Sequence, residues 1–256
     1  MLLSEHYAEK IAEQLVSRIK VETETMNRLP VSASGTSVSS LSHLASVPAR
    51  TKVRRSLGIY ETVDEAVAAA LRASVELARF PLSRRGEIIT LMRKLVLDNL
   101  EFLARLAHEE TGMGRVEDKI KKNRLIAEKT PGIEALTTSA FAADNGLTLD
   151  EFAPYGVIGA IIPSTNPTET VINNGISMFA AGNSVVFNPH PNATVSSLTI
   201  ISMLNKVIVD NGGPADCFVG IAHPSIESAE AIMHHPQIPF LAVTGAEGVV
   251  KAAMKS

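Results

Sequence analysis

A doubly wound parallel α/β sheet, entered through a helical region, is the fold this sequence predicts. Three observations carry it: apolar runs and helical patterns alternate from Val157 onward, the connections between them are short, and the segment from Thr62 to Lys129 shows helical periodicity alone. In the helical region Thr62-Val63-Asp64-Glu65 has the form of a capping box, and Val63, Ala66, Val67, Ala70 and Leu71 follow at helical spacing. Pro81 ends that helix. A second helical stretch, 83–110, breaks near Asp98-Asn99 and is stopped by Gly112 and Gly114, and a third, 117–129, ends before Pro131. Asp144-Asn145-Gly146 marks a hairpin-type turn into an extended run over 147–152. The alternating half then reads strand 157–162, helix 169–181, strand 184–187, helix 193–210, strand 217–221, helix 225–234, strand 239–243 and a helix from Glu247.

The N-terminal region reads differently. Over 2–20, Leu3, Tyr7, Ile11, Leu15 and Ile19 recur every fourth residue while Glu5, Glu9, Glu13 and Arg18 lie elsewhere, so residues 1–20 are expected to form an amphipathic helix. Residues 21–58 are serine-rich, with Pro30 and Pro48, and are expected to be a flexible linker. Arg50, Lys52, Arg54 and Arg55 are its solvated basic end. A helix tethered in this way needs a surface to pack on, either another protein or its own domain or oligomer partner. Residues 59–256 then hold the helices and the sheet.

Composition excludes several classes. The chain has 256 residues, room for one or two domains. Its net charge of −3 gives no electrostatic reason to bind nucleic acid or an anionic membrane. One cysteine rules out an intrachain disulfide and points to a reducing compartment. No apolar run reads as long enough to span a membrane, and the N-terminus lacks the pattern of a secretory signal. The histidines His190, His223, His234 and His235 have no metal-ligand spacing, so no metal is expected.

Chemistry concentrates after the first buried strand. The turn Pro163-Ser164-Thr165-Asn166-Pro167 is stiffened by two prolines and offers hydroxyl and amide groups at the mouth of a helix. It reads either as a ligand-binding turn or as a capping loop serving only its own helix.

PYGVIGAIIPSTNPTETVINN, then AAGNSVVFNPHP and VTGAEG, with ETGMGRVEDK upstream, resembles the aldehyde dehydrogenase superfamily. The wording STNPTET and FNPHP is similar to its CoA-acylating branch, especially the propionaldehyde and acetaldehyde dehydrogenases of bacterial microcompartments. The resemblance implies a Rossmann-like cofactor domain, NAD and coenzyme A as cofactor and co-substrate, and a short aliphatic aldehyde as substrate. It also implies a homo-oligomer, held by an arm in the region of the hairpin turn. Residues 2–20 become a candidate encapsulation tag for shell or cargo proteins, and the location cytoplasmic, inside a microcompartment. Family members carry their nucleophilic cysteine in a separate catalytic domain after the VTG segment, so the chain is expected to be truncated and inactive alone. The competing expectations are a non-catalytic cargo or assembly module and a CoA-independent aldehyde dehydrogenase.

Residue by residue, the resemblance makes Asn166 the first candidate for an oxyanion donor. Ungapped comparison with the wider family's loop puts Thr165 at the corresponding asparagine, so either serves. Ile162, Pro163 and Ser164 become cofactor contacts. So do Asn188, Pro189 and His190, where Asn188 replaces a lysine that contacts the adenine ribose in CoA-independent relatives and so favours NAD over NADP. Thr244, Gly245 and Ala246 complete the set, Gly245 letting the backbone approach a phosphate or the nicotinamide. Cys217 reads as core filler within a strand.

Overall fold

The structure, a computed structural model, describes residues 58–256. The helix expected at 1–20 and the linker expected at 21–58 lie outside the described residues, save Gly58. That residue is not linker: it is buried at φ +73°, and its carbonyl accepts from the Gly220 N–H at 2.8 Å. A Cβ there would collide with the Phe218 carbonyl and the Asn205 side chain, so glycine alone fits.

The chain continues as β1 (Ile59–Tyr60), α1 (Val63–Leu77), α2 (Leu82–Asp98), α3 (Leu100–Thr111) and α4 (Val116–Lys129). A hairpin, β2 (Ser139–Ala143) and β3 (Gly146–Asp150), leads to β4 (Val157–Ile161), α5 (Pro167–Ala180), β5 (Ser184–Asn188) and α6 (Thr194–Asp210). Last come β6 (Phe218–Ile221), α7 (Ile226–Met233), β7 (Phe240–Val243) and α8 (Glu247–Ala253).

Local chemistry accounts for the boundaries. The Thr62 hydroxyl accepts from the Glu65 N–H at 3.3 Å and starts α1. Asn99 separates α2 from α3, its side chain donating to the Leu95 carbonyl at 2.8 Å, and Gly112 ends α3 in the left-handed conformation at φ +65°. Pro167 occupies the first turn of α5, where a missing N–H costs nothing, so this helix starts earlier than expected.

The main sheet has the order β1-β6-β5-β4-β7, and every neighbouring pair is parallel. Successive side chains point to opposite faces. Val157, Ile161, Val186, Val219 and Ile221 pack toward α1 and α7, while Ala160, Val185, Phe187 and Phe218 pack toward α5 and α6. Helices α2, α3 and α4 form a further layer behind α5 and α6. Phe218 meets Phe179 and Phe187 edge-on, each with ring centroids 6.1 Å apart. Gly159, in the centre of β4, lets α7 settle: a Cβ there would stand 2.7 Å from Ile232 and 2.9 Å from Leu241.

Contrary to the sequence reading, one helix among the described residues, Pro191–Asp210, has the length and mean hydropathy (1.3) of a membrane span. It is a core helix, with 72% of the apolar window buried inside the protein, including Ser196, Ser197, Ser202 and Asn205. Several of the polar interruptions that hid it in the sequence are satisfied internally: Asn205 accepts from the Phe218 N–H at 3.1 Å and the Ser197 hydroxyl donates to the Ala193 carbonyl at 2.6 Å, whereas the Thr199 hydroxyl is buried with no partner among the described residues.

Strand order fixes where a ligand fits. The chain passes from β4 to β5 to β6 in one direction, then returns across the sheet to β7 on the other side of β4. The reversal opens a crevice between the carboxyl ends of β4 and β7, the place where parallel α/β sheets bind ligands.

Candidate functional site

The turn singled out from sequence sits in that crevice. On one side the Ile162 N–H donates to the Asn188 carbonyl at 3.0 Å; on the other the Thr244 N–H donates to the Ile161 carbonyl at 3.1 Å. The ends of β4, β5 and β7 therefore gather three of the sequence candidates, Ile162, Asn188 and Thr244, around the Pro163–Asn166 turn.

Their side chains are placed differently. Ile162 is buried in the core and offers only backbone. Pro163, Ser164 and Asn166 are half-buried, while Thr165 is exposed. Asn188 is buried and engaged: its Oδ1 accepts from the Ser228 hydroxyl at 2.6 Å, and its Nδ2 lies 3.5 Å from the Ser225 carbonyl, so it braces the capping box of α7. Pro189 is buried, and His190 is exposed with its Nδ1 accepting from the Asn192 N–H at 3.1 Å. Thr244, Gly245 and Ala246 are exposed on the carboxyl edge, and no side chain caps the helix that Ala246 begins.

Thr165 and Asn166 face different clefts. A cleft of about 360 Å³ is lined by Thr165 with Gly114, Arg115, Asp118, Lys119, Lys121 and Lys122. The other, of about 430 Å³, lies between α4 and α5 and contains Asn166, Glu169, Thr170, Asn173, Asn174 and Thr244 together with Lys122, Leu125 and Ile126. Asn166 thus shares a cleft with Thr244, and Thr165 does not.

Sequence reasoning missed the polar contact between α4 and α5. Lys119, 2% exposed, donates from Nζ to the Thr165 carbonyl at 3.2 Å, and Lys122 Nζ donates to Asn166 Oδ1 at 3.0 Å. Burial pushes the Lys119 ammonium below its ordinary range, the Glu169 carboxylate opposes that shift, and Lys122 adds to it. The Thr168 hydroxyl lies 3.1 Å from both Asn123 Oδ1 and Glu169 Oε2. Glu169 Oε1, Asn123 Nδ2 and Asn174 Nδ2 are buried with no partner among the described residues. The signal was available: Lys119, Asn123 and Ala127 form one stripe of α4 at helical spacing, so two polar residues occupy an inward face.

The helix starts along the carboxyl edge are not equivalent. Glu110, from α3, accepts from the Val195 N–H at 2.7 Å and the Ser196 N–H at 2.8 Å, which closes the start of α6 to an external anion. Ser225 closes α7. The nucleotide candidates Thr244–Ala246 are left open.

Cys217 is at the opposite edge. It directly precedes β6, its carbonyl accepts from the Val185 N–H at 2.8 Å, and its Sγ lies 3.3 Å from the Pro214 carbonyl. Burial, reinforced by the negative charges of Asp216 and Glu76, drives the thiol far above its ordinary range. It is fully buried and remote from the turn.

A parallel sheet with a Pro-Ser-Thr-Asn-Pro turn in its crevice defines the class: the aldehyde dehydrogenase family model matches residues 44–256, and the chain belongs to that family. Its relatives narrow the branch. It is 50% identical over 198 residues to an acetaldehyde dehydrogenase (acetylating) of Bilophila wadsworthia, covering 77% of this chain and 40% of that protein. It is 45% identical over 217 residues to a propanal dehydrogenase (CoA-propanoylating) of Salmonella typhimurium, covering 84% and 47%. Among solved structures, the propionaldehyde dehydrogenase of the Clostridium phytofermentans fucose utilisation microcompartment superposes with a TM-score of 0.76 at 45% identity, over 78% of this chain and 46% of that one. The Rhodopseudomonas palustris propionaldehyde dehydrogenase with bound propionyl-CoA gives 0.75 at 49%, over 77% and 44%. An engineered glycolyl-CoA reductase with bound NADP+ gives 0.75 at 48%, over 77% and 45%. The chain spans less than half the length of these relatives.

Proposed function

We propose that this chain is the cofactor-binding portion of an NAD-dependent, CoA-acylating aldehyde dehydrogenase, which converts a short aliphatic aldehyde, CoA and NAD to acyl-CoA and NADH. The observation that carries this reading is the position of the 163–166 turn in the crevice, between Asn188 and Thr244 and within reach of both clefts. The nicotinamide, when bound, supplies the hydride acceptor. This chain's residues do the rest of the positioning. The exposed backbone of Thr244, Gly245 and Ala246 receives the nucleotide at a free helix start, and Pro163 and Ser164 floor the crevice beneath it. Asn188 shapes its wall by bracing α7; with an amide there instead of a cation, this position offers a ribose 2′-phosphate no counter-charge, which supports NAD.

Asn166 holds the oxyanion that develops when a thiolate adds to the aldehyde, because it shares a cleft with Thr244 and can turn an amide N–H toward it. Thr165, in the neighbouring cleft, is the weaker candidate. The thiolate comes from polypeptide outside these 256 residues, since Cys217 is buried at the wrong edge and strongly protonated.

The test compares the 256-residue chain with the longest polypeptide its gene encodes. NADH formation from propionaldehyde should require both CoA and that longer product, and should be slower with NADP. Turnover by the 256-residue chain alone, abolished by Cys217→Ser, would overturn the reading. Turnover without CoA would favour the acid-forming class.

The cellular setting follows the same reading: a cytoplasmic enzyme packaged in a microcompartment, self-associating through the β2–β3 hairpin, with residues 2–20 docking on shell or cargo proteins. Deleting 2–20 should leave the melting temperature unchanged and abolish co-sedimentation with shell proteins; unchanged co-sedimentation removes the tag.

A further inference from the structure

Asn166 occupies the N-cap of α5, a position where asparagine ordinarily turns its side-chain oxygen back onto the free N–H groups of the first turn. Here it makes no such bond. Its backbone is at φ −138° and ψ 59°, its carbonyl accepts from the Thr170 N–H at 3.0 Å and the Thr170 hydroxyl at 2.7 Å, and its Oδ1 is held by Lys122 Nζ at 3.0 Å. A lysine ammonium has donors and no acceptor, so the amide atom facing it has to be the oxygen. The orientation of the Asn166 amide is thereby fixed by chemistry: Nδ2 is on the side away from Lys122, with one long contact of 3.4 Å to Thr165 Oγ1.

One turn earlier on the same face of α4, Lys119 holds the preceding carbonyl, that of Thr165, at 3.2 Å. Two lysines three residues apart therefore grip two successive residues of one turn, the first through backbone and the second through side chain. The grip is specific to these two. The adjoining Lys121, exposed like Lys122, makes no hydrogen bond to the turn among the described residues, and Arg115 is spent on Asp118, with its Nε 2.7 Å from Oδ2.

We infer that Lys122 is a positioning residue: it withholds the Asn166 side chain from capping α5 and holds the amide with Oδ1 on its own ammonium and Nδ2 toward Thr165 Oγ1, presenting the N–H groups on the side away from α4, while Lys119 fixes the height of the turn. The inference rests on the proposed oxyanion role of Asn166, but its structural half can be tested without turnover. Removing the ammonium leaves Oδ1 free to swing back and cap the helix. In the 256-residue chain, Lys122→Met should slow hydrogen exchange of the Thr168 or Glu169 backbone amide at least threefold, while Lys122→Arg, which still donates, should not. Unaltered exchange in Lys122→Met overturns the clamp.

The catalytic half uses the active, longer polypeptide. Lys122→Met should lower kcat tenfold or more with little change in the KM for aldehyde, Lys122→Arg should restore most of it, and Lys129→Met, at the far end of α4, should have no effect. In an Asn166→Ala background, Lys122→Met should cost nothing further, because it acts through that amide; an additive loss would mark a merely structural role and overturn the inference. If Asn166→Ala leaves kcat intact, the oxyanion assignment fails and takes the catalytic half with it, while the exchange result still decides the clamp.

Discussion

Removing the Glu110 carboxylate should destabilise the fold by about 2 kcal/mol, even though the residue touches none of the candidate ligand contacts. Helix α6 begins at Thr194 behind Ala193, which cannot cap it, and Glu110 reaches across from α3 to accept from Val195 at 2.7 Å and Ser196 at 2.8 Å. Hydrogen bonds to a charged group contribute roughly 1.5–3 kcal/mol each, and water replaces part of that at a half-buried carboxylate, so the two together give about 2 kcal/mol for Glu110→Ala. Glu110→Gln keeps one acceptor and turns an NH2 toward the other donor, which leaves a loss of about 1 kcal/mol. For a chain of this size each kcal/mol is worth about 2–4 °C, so the alanine variant should melt roughly 4–8 °C lower by circular dichroism. Hydrogen exchange at the Val195 and Ser196 amides should accelerate in step. A Glu110→Ala protein within about 0.5 kcal/mol of the parent, with those amides still protected, would refute the reasoning.

Three further outcomes are expected. Cys217 should resist thiol reagents until the protein unfolds. Its pKa is raised in the folded state, so the associated stability is complete below the ordinary value of 9.0 and is lost as pH rises above it, by up to about 1.4 kcal/mol per unit, as the unfolded chain ionises a thiol that the folded chain keeps protonated. Urea titrations at pH 8 to about 10.5 should show this slope in the parent and lose it in Cys217→Ala. Gly159→Ala should cost about 1–3 kcal/mol in the same assay through overpacking against Ile232 and Leu241, and a neutral effect would mean that α7 is free to shift. All ten residues of β2 and β3 are exposed, Phe141 and Leu149 among them at 59% and 60%. Phe141→Lys with Leu149→Lys should therefore lower the mass measured by light scattering without lowering the melting temperature; an unchanged mass would remove the hairpin from the self-association proposal.

Much of this fold was written in local patterns. The alternation from Val157 onward gave each strand and helix to within a residue or two, and the break at Asn99 and the stop at Gly112 were visible because these residues act through their own backbone geometry. Strand β1 was not visible: two residues cannot show a period, and Ile59 and Tyr60 become a strand only because β6 offers an edge. The strand order was equally hidden, since it depends on which faces pack rather than on any one segment. At the site, the Pro163–Asn166 turn was legible from its unusual composition. The two lysines gripping it were not: Lys119 reads as solvated until a neighbouring helix covers it, and Lys122, which stays exposed, carries no local sign of the Asn166 side chain it bonds. Asn188 shows the opposite limit: its position was legible, but its pairing with Ser228 joins residues forty apart in the chain.

Because β4 alone among the strands is flanked by neighbours reached in opposite directions, the few residues that follow it act as a party wall. One side is approached past Thr244, through the gap between the two helices that carry Lys122 and Glu169, and the other past Gly114 and Arg115. A change to that partition is felt in both rooms at once, so titrating a single ligand against a variant of Ser164, Thr165 or Asn166 would assign the damage to whichever side was measured. Only paired titrations, one ligand held saturating while the other varies, can tell a thinned wall from a blocked door.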